Sequence, residues 1–224
     1  MPQLQVATQM HANATRPDSE PILNAIISGL LNEGRLQEGT IVDAGAFNGE
    51  WALWMAARWP ARTVRAVDPL EHNVRKIGMK ASSNLKTLCS ALGLKPSTLY
   101  LDKKAQQRAA KSGYLLQAGV VGTSAAHGDD LAVPVRTLDD LFATDWRGER
   151  LSLLHLDVES AERDVLRGGV ETLRRDMPVL TVEVHVHLQP SRTRALVRFL
   201  ASNRYEVFLV EEICGCVAGE WTGT

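Results

Sequence analysis

Cysteine is scarce in this chain: Cys89, Cys214 and Cys216 are the only three in 224 residues. An odd, sparse set excludes a disulfide framework and reads as reduced thiols. Cys214 and Cys216 stand one residue apart with no second pair nearby, against the spacing of a zinc site. Net charge is almost absent as well, −1 from 25 Lys and Arg against 26 Asp and Glu. That balance creates no overall field to favour nucleic acid or a membrane surface as partner. No run approaches the roughly 20 apolar residues that cross a bilayer. The opening segment, MPQLQVATQMHANATRPDSE, lacks the basic-then-apolar order of a secretory signal. These absences make the cytoplasm the expected compartment. Internal repeats and low-complexity segments are missing too, and nothing in the chain indicates an oligomeric state.

What is present is an ordinary globular composition, 45% hydrophobic, long enough to bury one full core. Residues 1–18 read as a polar lead-in and 19–224 as a single domain. Ser19 can cap a helix in which Leu23, Ile26, Ile27, Leu30 and Leu31 recur at helical spacing, with Gly34 as the stop. From Thr40 the pattern changes to short apolar runs: TIVDAG (40–45), TVRAVD (63–68), GYLLQAGVVG (113–122), LSLLHLDV (151–158), PVLTVEVHV (178–186) and YEVFLV (205–210). Amphipathic helical patterns separate most of them, the first marked by Trp51, Trp54, Met55 and Arg58. Apolar strands alternating with helices predict an α/β, doubly wound, mostly parallel sheet covered on both faces. Right-handed crossovers then bring every strand's C-terminal end to one rim.

The link at 71–113 is longer than a normal crossover and rich in Lys and Arg, including Arg75, Lys76, Lys80, Lys86 and Lys95. Two or three short helices are expected there, forming either a solvated face or a lid over the site.

The most informative segment is IVDAGAFNGEW (41–51), where an apolar strand meets Asp43, Gly45, Ala46, Phe47, Asn48 and Gly49 before a helix. Glycines here let the backbone approach a ligand and set the helix N-terminus against it. A dinucleotide fingerprint needs a further glycine in the middle, G-x-G-x-x-G, and that position holds Phe47. The turn suits a ligand with a cationic amino group near Asp43 better than a diphosphate. Asp68 ends the next strand, where a carboxylate can accept from ribose hydroxyls or simply cap the following helix. Val120, in the run 113–122, completes the candidate cofactor set.

Two later strands carry charges. LSLLHLDVES places Asp157 and Glu159 on one face if the strand stays extended, and LTVEVHVH does the same for Glu183, His185 and His187. Such groups belong at the open C-terminal rim, because a charge in mid-strand would be buried. Together they can take a proton from a substrate hydroxyl. Asp157, Glu183 and His185 also have the chemistry of metal ligands, although no spacing signature demands a metal.

With these blocks in view, the chain resembles the FkbM family of S-adenosylmethionine-dependent methyltransferases over about residues 40 to 212. The blocks are VDAGAFNGEWAL, the strand end VDP, VRTLDDL, LHLDVESAERDVLRGG, LTVEVHVH and RYEVFLVEE, in order. The fourth is the most specific, similar to a K-I-D-V-E-G-x-E pattern followed by L-x-G. The resemblance implies a Rossmann-like class I methyltransferase fold with an antiparallel last strand, S-adenosyl-L-methionine as cofactor, and methyl transfer to a hydroxyl of a small molecule or glycan. It implies that Asp43, Gly45, Ala46 and Gly49 line the methionine part of the cofactor and that Asp68 holds the ribose. It also sets Asp157, Glu159, Glu162, Glu183 and His185 near the reacting end. Three positions depart from the pattern: Phe47 in place of Asn, His155 in place of Lys and Ser160 in place of Gly. A non-catalytic cofactor-binding domain and a nicotinamide-dependent oxidoreductase are the alternatives to an O-methyltransferase.

Overall fold

A computed structural model describes residues 4–9, 20–101, 120–121, 130–184, 190–211 and 216–220, with side chains described over 25–101, 130–184 and 190–208. In chain order the first half runs β1 (Leu4–Gln9), α1 (Glu20–Asn32), β2 (Thr40–Ala44), α2 (Glu50–Arg58), β3 (Val64–Asp68), α3 (Glu71–Lys80), β4 (Leu85–Cys89), β5 (Ala91–Leu92), β6 (Ser97–Leu101) and β7 (Val120–Val121). The second half runs β8 (Leu131–Arg136), α4 (Leu138–Ala143), β9 (Leu151–Leu156), α5 (Glu162–Arg167), α6 (Val170–Asp176), β10 (Val179–Val184), α7 (Pro190–Ser202), β11 (Glu206–Glu211) and β12 (Cys216–Glu220).

The main sheet has the order β12-β11-β1-β10-β9-β2-β3-β4. From β10 to β4 every pairing is parallel. This is the Rossmann-like α/β architecture expected from the alternation of apolar runs and helices. Strands β2, β9 and β10 are buried from end to end, which explains why they read as continuous apolar runs. From β2 the chain first builds outward through β3 and β4, then returns to place β9 on the other side of β2. The reversal lies at the C-terminal ends of β2 and β9, and such a switch point is the general location of ligands in open α/β sheets.

Two cores cover the sheet. Ile41, Val64, Leu153 and Val179 pack with Ile27, Met55 and Ile77 of α1, α2 and α3. Val42, Ala44, Val67, Leu154, Leu156, Leu180 and Val182 pack on the opposite face with Leu138, Val165, Leu173 and Leu196 of α4, α5, α6 and α7. Alternation then assigns Asp43, Asp68, His155, Thr181 and Glu183 to the face covered by α2.

Several expectations need correction. Within the described part of the link, 71–101, one helix, α3, is followed by the strands β4, β5 and β6. Strand β4 is the edge of the main sheet, and its exposed Lys86 is the kind of charge that keeps an edge from pairing further. β5 and β6 join β8 and β7 in a separate four-stranded sheet of order β5-β8-β6-β7. Val120 therefore lies in that small sheet, antiparallel to β6, and not in the parallel sheet. Residues 102–113 of the basic link lie outside the described residues. Leu4–Gln9, read as part of a polar lead-in, form a strand between β10 and β11, parallel to both. Its alternating Leu4, Val6 and polar partners carry a period of two that its polar composition obscured. The final apolar run, β11, is parallel to β1; the antiparallel last strand is β12, which pairs with β11. The segment from Ala161 to Asp176 forms two helices, α5 and α6, broken at Gly168 and Gly169. A Cβ at Gly168 would overlap the carbonyl oxygen of Gly93, so the break lets the small sheet's connection approach. Among the described residues no helix is long and apolar enough to cross a membrane.

Candidate active site

The turn after β2 is built by backbone geometry. Gly45 and Gly49 have φ of 86° and 82°, in the region only glycine enters freely. Gly49 caps α2, and a Cβ there would meet Ile77 Cγ1 at 2.6 Å. At Gly45 a Cβ would overlap the carbonyl oxygen of Asp157. The glycine was expected to leave space for a ligand; the structure shows that it first leaves space for the backbone beyond β9. Asp157 N in turn donates to Ala44 O at 3.0 Å, so the two rim segments brace one another. Ala46 is buried, whereas Phe47 and Asn48 are exposed at the tip. Phe47 is left-handed too, with φ 44°, and Asn48 Oδ1 accepts from Glu50 N at 3.1 Å.

Asp43 lies under this turn and is 1% exposed. The Ala52 amide donates to its carboxylate, but Oδ2 has no hydrogen-bond partner. Burial and the nearby charge of Asp157 push its ionisation up to about 8, with a smaller push from Asp68. An unpaired buried carboxylate oxygen costs free energy, and a bound donor would remove that cost.

Asp68, one strand away, is well supplied. Oδ2 accepts from Phe47 N at 2.9 Å, and Oδ1 accepts from Leu70 N at 2.8 Å and Asn73 Nδ2 at 3.0 Å. Burial raises its ionisation while these three donors oppose the rise. A carboxylate offers about four lone-pair positions, so one acceptor site is left for a ligand hydroxyl. Asp68 is not itself the cap: the N-cap of α3 is Leu70, whose amide Asp68 holds. Replacing Asp68 with Ala is expected to weaken S-adenosylhomocysteine binding by about 1.5–3 kcal/mol in a calorimetric titration. Unchanged affinity would leave Asp68 as a brace of the turn and of α3 alone.

The strand carrying Asp157 ends at Leu156, and Glu159 and Ser160 have φ of 53° and 78°. The segment is thus not extended, and Asp157 and Glu159 do not share a strand face as expected. The cap of α5 is Ala161, and Ser160 N donates to Glu162 Oε1 at 3.0 Å. The turn nonetheless brings carboxyls together. Glu183, 7% exposed on β10, lies beside Asp157, as expected if the two strands were neighbours. Burial drives Glu183 well above the ordinary carboxylate range, reinforced by a hydrogen bond with Asp157 and by the charges of Asp157, Glu159 and Glu162. Glu162 is raised by burial as well. Two carboxyls so close cannot both ionise cheaply, and Glu183, the more deeply buried, is the one held in its protonated form.

The raised Glu183 sets a pH dependence of stability. Between its unfolded value of 4.5 and its higher folded value, the unfolded chain binds fewer protons at this site. Stability therefore falls as pH rises through that window. Glu183→Gln is expected to melt above wild type at pH 8, by about 2–4 °C per kcal/mol recovered, and to match it near pH 4. Equal melting temperatures at pH 8 would place Glu183 among ordinary ionised carboxylates.

Sequence reasoning missed the part played by His155. It is buried, its ring stacks on Trp51 at 4.7 Å, and Nδ1 lies 2.8 Å from Thr181 Oγ1. Burial lowers its ionisation to about 4 despite Asp157 nearby, so it is neutral at pH 7. It is a packing residue beside Asp43, its register partner on β2. Its place two residues before Asp157 was the available signal. His185 and His187 lie outside the described residues, as does the side chain of Val120. Among the described residues no group of three or more His, Cys, Asp or Glu side chains is disposed to hold a metal ion.

Comparison with known proteins agrees with this geometry. The methyltransferase FkbM domain matches residues 43–207, from the carboxylate under the glycine turn to β11. A protein of Beauveria bassiana (strain ARSEF 2860) called Methyltransferase 1 is 29% identical over 146 residues, 57% of this chain and 57% of that protein. The chain thus spans little more than half the length of this relative. No solved structure gives a significant match.

Proposed function

We propose that this chain, which belongs to the FkbM methyltransferase family, uses S-adenosyl-L-methionine to methylate a hydroxyl oxygen of a small molecule or glycan. The observation that carries the reading is the unpartnered Oδ2 of the buried Asp43, beside a turn closed by Gly45 and Gly49. It fits a ligand bearing an ammonium group, which would supply the missing donor, and the turn fits a diphosphate poorly because Phe47 stands where the dinucleotide fingerprint needs its middle glycine. Asp43 would accept from the cofactor's amino group, Asp68 Oδ2 from a ribose hydroxyl, and the backbone of Gly45–Gly49 would flank the ligand.

When bound, the cofactor supplies a methyl group made electrophilic by its positive sulfur. What remains for the protein is to orient the acceptor and take its hydroxyl proton. Asp157 is suited to that role, being partly exposed at the rim, whereas Glu183 is buried behind it. Glu183, holding its proton, would donate toward Asp157 and help to fix that carboxylate. Glu159 and Glu162 add negative charge at the rim and favour a positively charged ligand there. Calorimetric titration with S-adenosylhomocysteine and with NAD tests the cofactor assignment. Micromolar binding of the first alone supports it, and preference for NAD refutes it. A methyl-transfer assay across hydroxyl-bearing acceptors then separates an O-methyltransferase from a domain that binds cofactor without chemistry.

A further inference from the structure

We propose that Asp43 is protonated in the cofactor-free protein and gives up that proton as the cofactor's ammonium group docks, so that cofactor binding and proton release are one event. The inference rests on the proposed use of S-adenosyl-L-methionine and concerns how this chain's own carboxylate accommodates it.

The surroundings of Asp43 carry the case. Its side chain is buried, with one donor, the Ala52 amide of α2, and an Oδ2 that accepts from nothing. The charges that act on Asp43 itself are negative, those of Asp157 and Asp68. β3 brings Asp68, whose own carboxylate is already held by Phe47 N, Leu70 N and Asn73, and on which His72 of α3 acts. The segment ending β9 brings Asp157 and the neutral His155, whose Nδ1 is engaged with Thr181. β10 brings Glu183, held in its protonated form beside Asp157. On α2 the charged group at this end is Glu50, exposed and also negative. An ionised Asp43 would therefore sit dry, half-satisfied and among like charges, the condition in which a carboxyl keeps its proton. Its ionisation near 8 agrees with that setting.

A docked ammonium reverses every one of these conditions. It supplies the missing donor to Oδ2 and an opposite charge, both of which favour the carboxylate. The O–H bond of Asp43 breaks, the electron pair stays on the oxygen, and the proton passes to the buffer. No other co-reactant is required.

The test is calorimetric titration of the full chain with S-adenosylhomocysteine, repeated in buffers of different ionisation enthalpy between pH 6 and 8. This probe has a neutral sulfur, so the ammonium is its cationic group, and Asp43→Asn separates the proton of Asp43 from any that the nearby Asp157 and Glu183 release. Release is expected to approach one proton per ligand at pH 6.5 and to fall to about half a proton near pH 8. The dissociation constant should improve up to about tenfold per pH unit over the lower part of that range. Asp43→Asn should release none and bind with little dependence on pH; if that variant does not fold, the wild-type proton count decides alone. Binding without proton release at pH 6.5, or release that persists in Asp43→Asn, overturns the inference while leaving the cofactor assignment intact. Absence of binding at every pH overturns the cofactor assignment itself, and the inference with it.

Discussion

Gly45→Ala is expected to bind S-adenosylhomocysteine at least about a hundredfold more weakly and to melt several degrees below wild type. Two costs combine at this position. A residue with a Cβ forced to φ near 86° loses about 1–3 kcal/mol. The new Cβ must also push back the Asp157 carbonyl, and overpacking against backbone adds roughly 1–3 kcal/mol. Because Asp157 N is bonded to Ala44 O, the displaced segment would carry the Asp157 carboxylate, the proposed base, away from the glycine turn. Gly148 supplies the control: its φ is 85°, but a Cβ there would meet nothing within 4 Å. Gly148→Ala should show the backbone cost alone and leave ligand affinity unchanged. If the two variants behave alike in both stability and binding, the contact between the two rim segments has no functional weight.

Asp157→Asn is expected to lower turnover by about a hundredfold or more, the usual weight of a positioned base, with affinity for S-adenosylhomocysteine nearly unchanged. The amide keeps the size of the side chain and can still accept from Glu183, but it cannot take the acceptor's proton. A fall in affinity as large as the fall in turnover would move Asp157 from the chemistry to cofactor binding. A loss that a chelator reproduces in wild type, and that Mg²⁺ or Mn²⁺ restores, would instead identify a metal ligand. Full turnover in the variant would make the acidic pair structural.

The legible parts of the fold were those where burial dictates composition. β2, β9 and β10 are covered on both faces, so their apolar runs, and the glycine turn that ends the first, could be read directly. β4 and β6 are only partly buried; a lysine-bearing edge strand has the same composition as a solvated helix, so these strands were not legible within the basic link. β1 was missed because its pairing with β10 and β11 is long-range and leaves no local signal.

At the site, residue types were legible and geometry was not. The adjacency of Asp157 and Glu183 followed from neighbouring strands. The left-handed turn at Glu159 and Ser160 did not, because neither residue announces a positive φ. Ser160 stands where the family pattern has glycine, and its φ of 78° supplies the physical reason for a glycine there. His155 replaces the family's lysine with a neutral ring stacked on Trp51. That substitution leaves the acidic rim without the lysine's positive charge, a consequence visible only once burial is known.

Photo-cross-linking of tritiated S-adenosylmethionine to the wild-type protein, followed by peptide mapping, tests the central claim most directly. The label is expected in the tryptic peptide Leu36–Arg58, which carries Asp43, the glycine turn and α2. Unlabelled S-adenosylhomocysteine should suppress that labelling and NAD should not. Label confined to other peptides, or displaced by NAD, would contradict the assignment of this turn as the cofactor site.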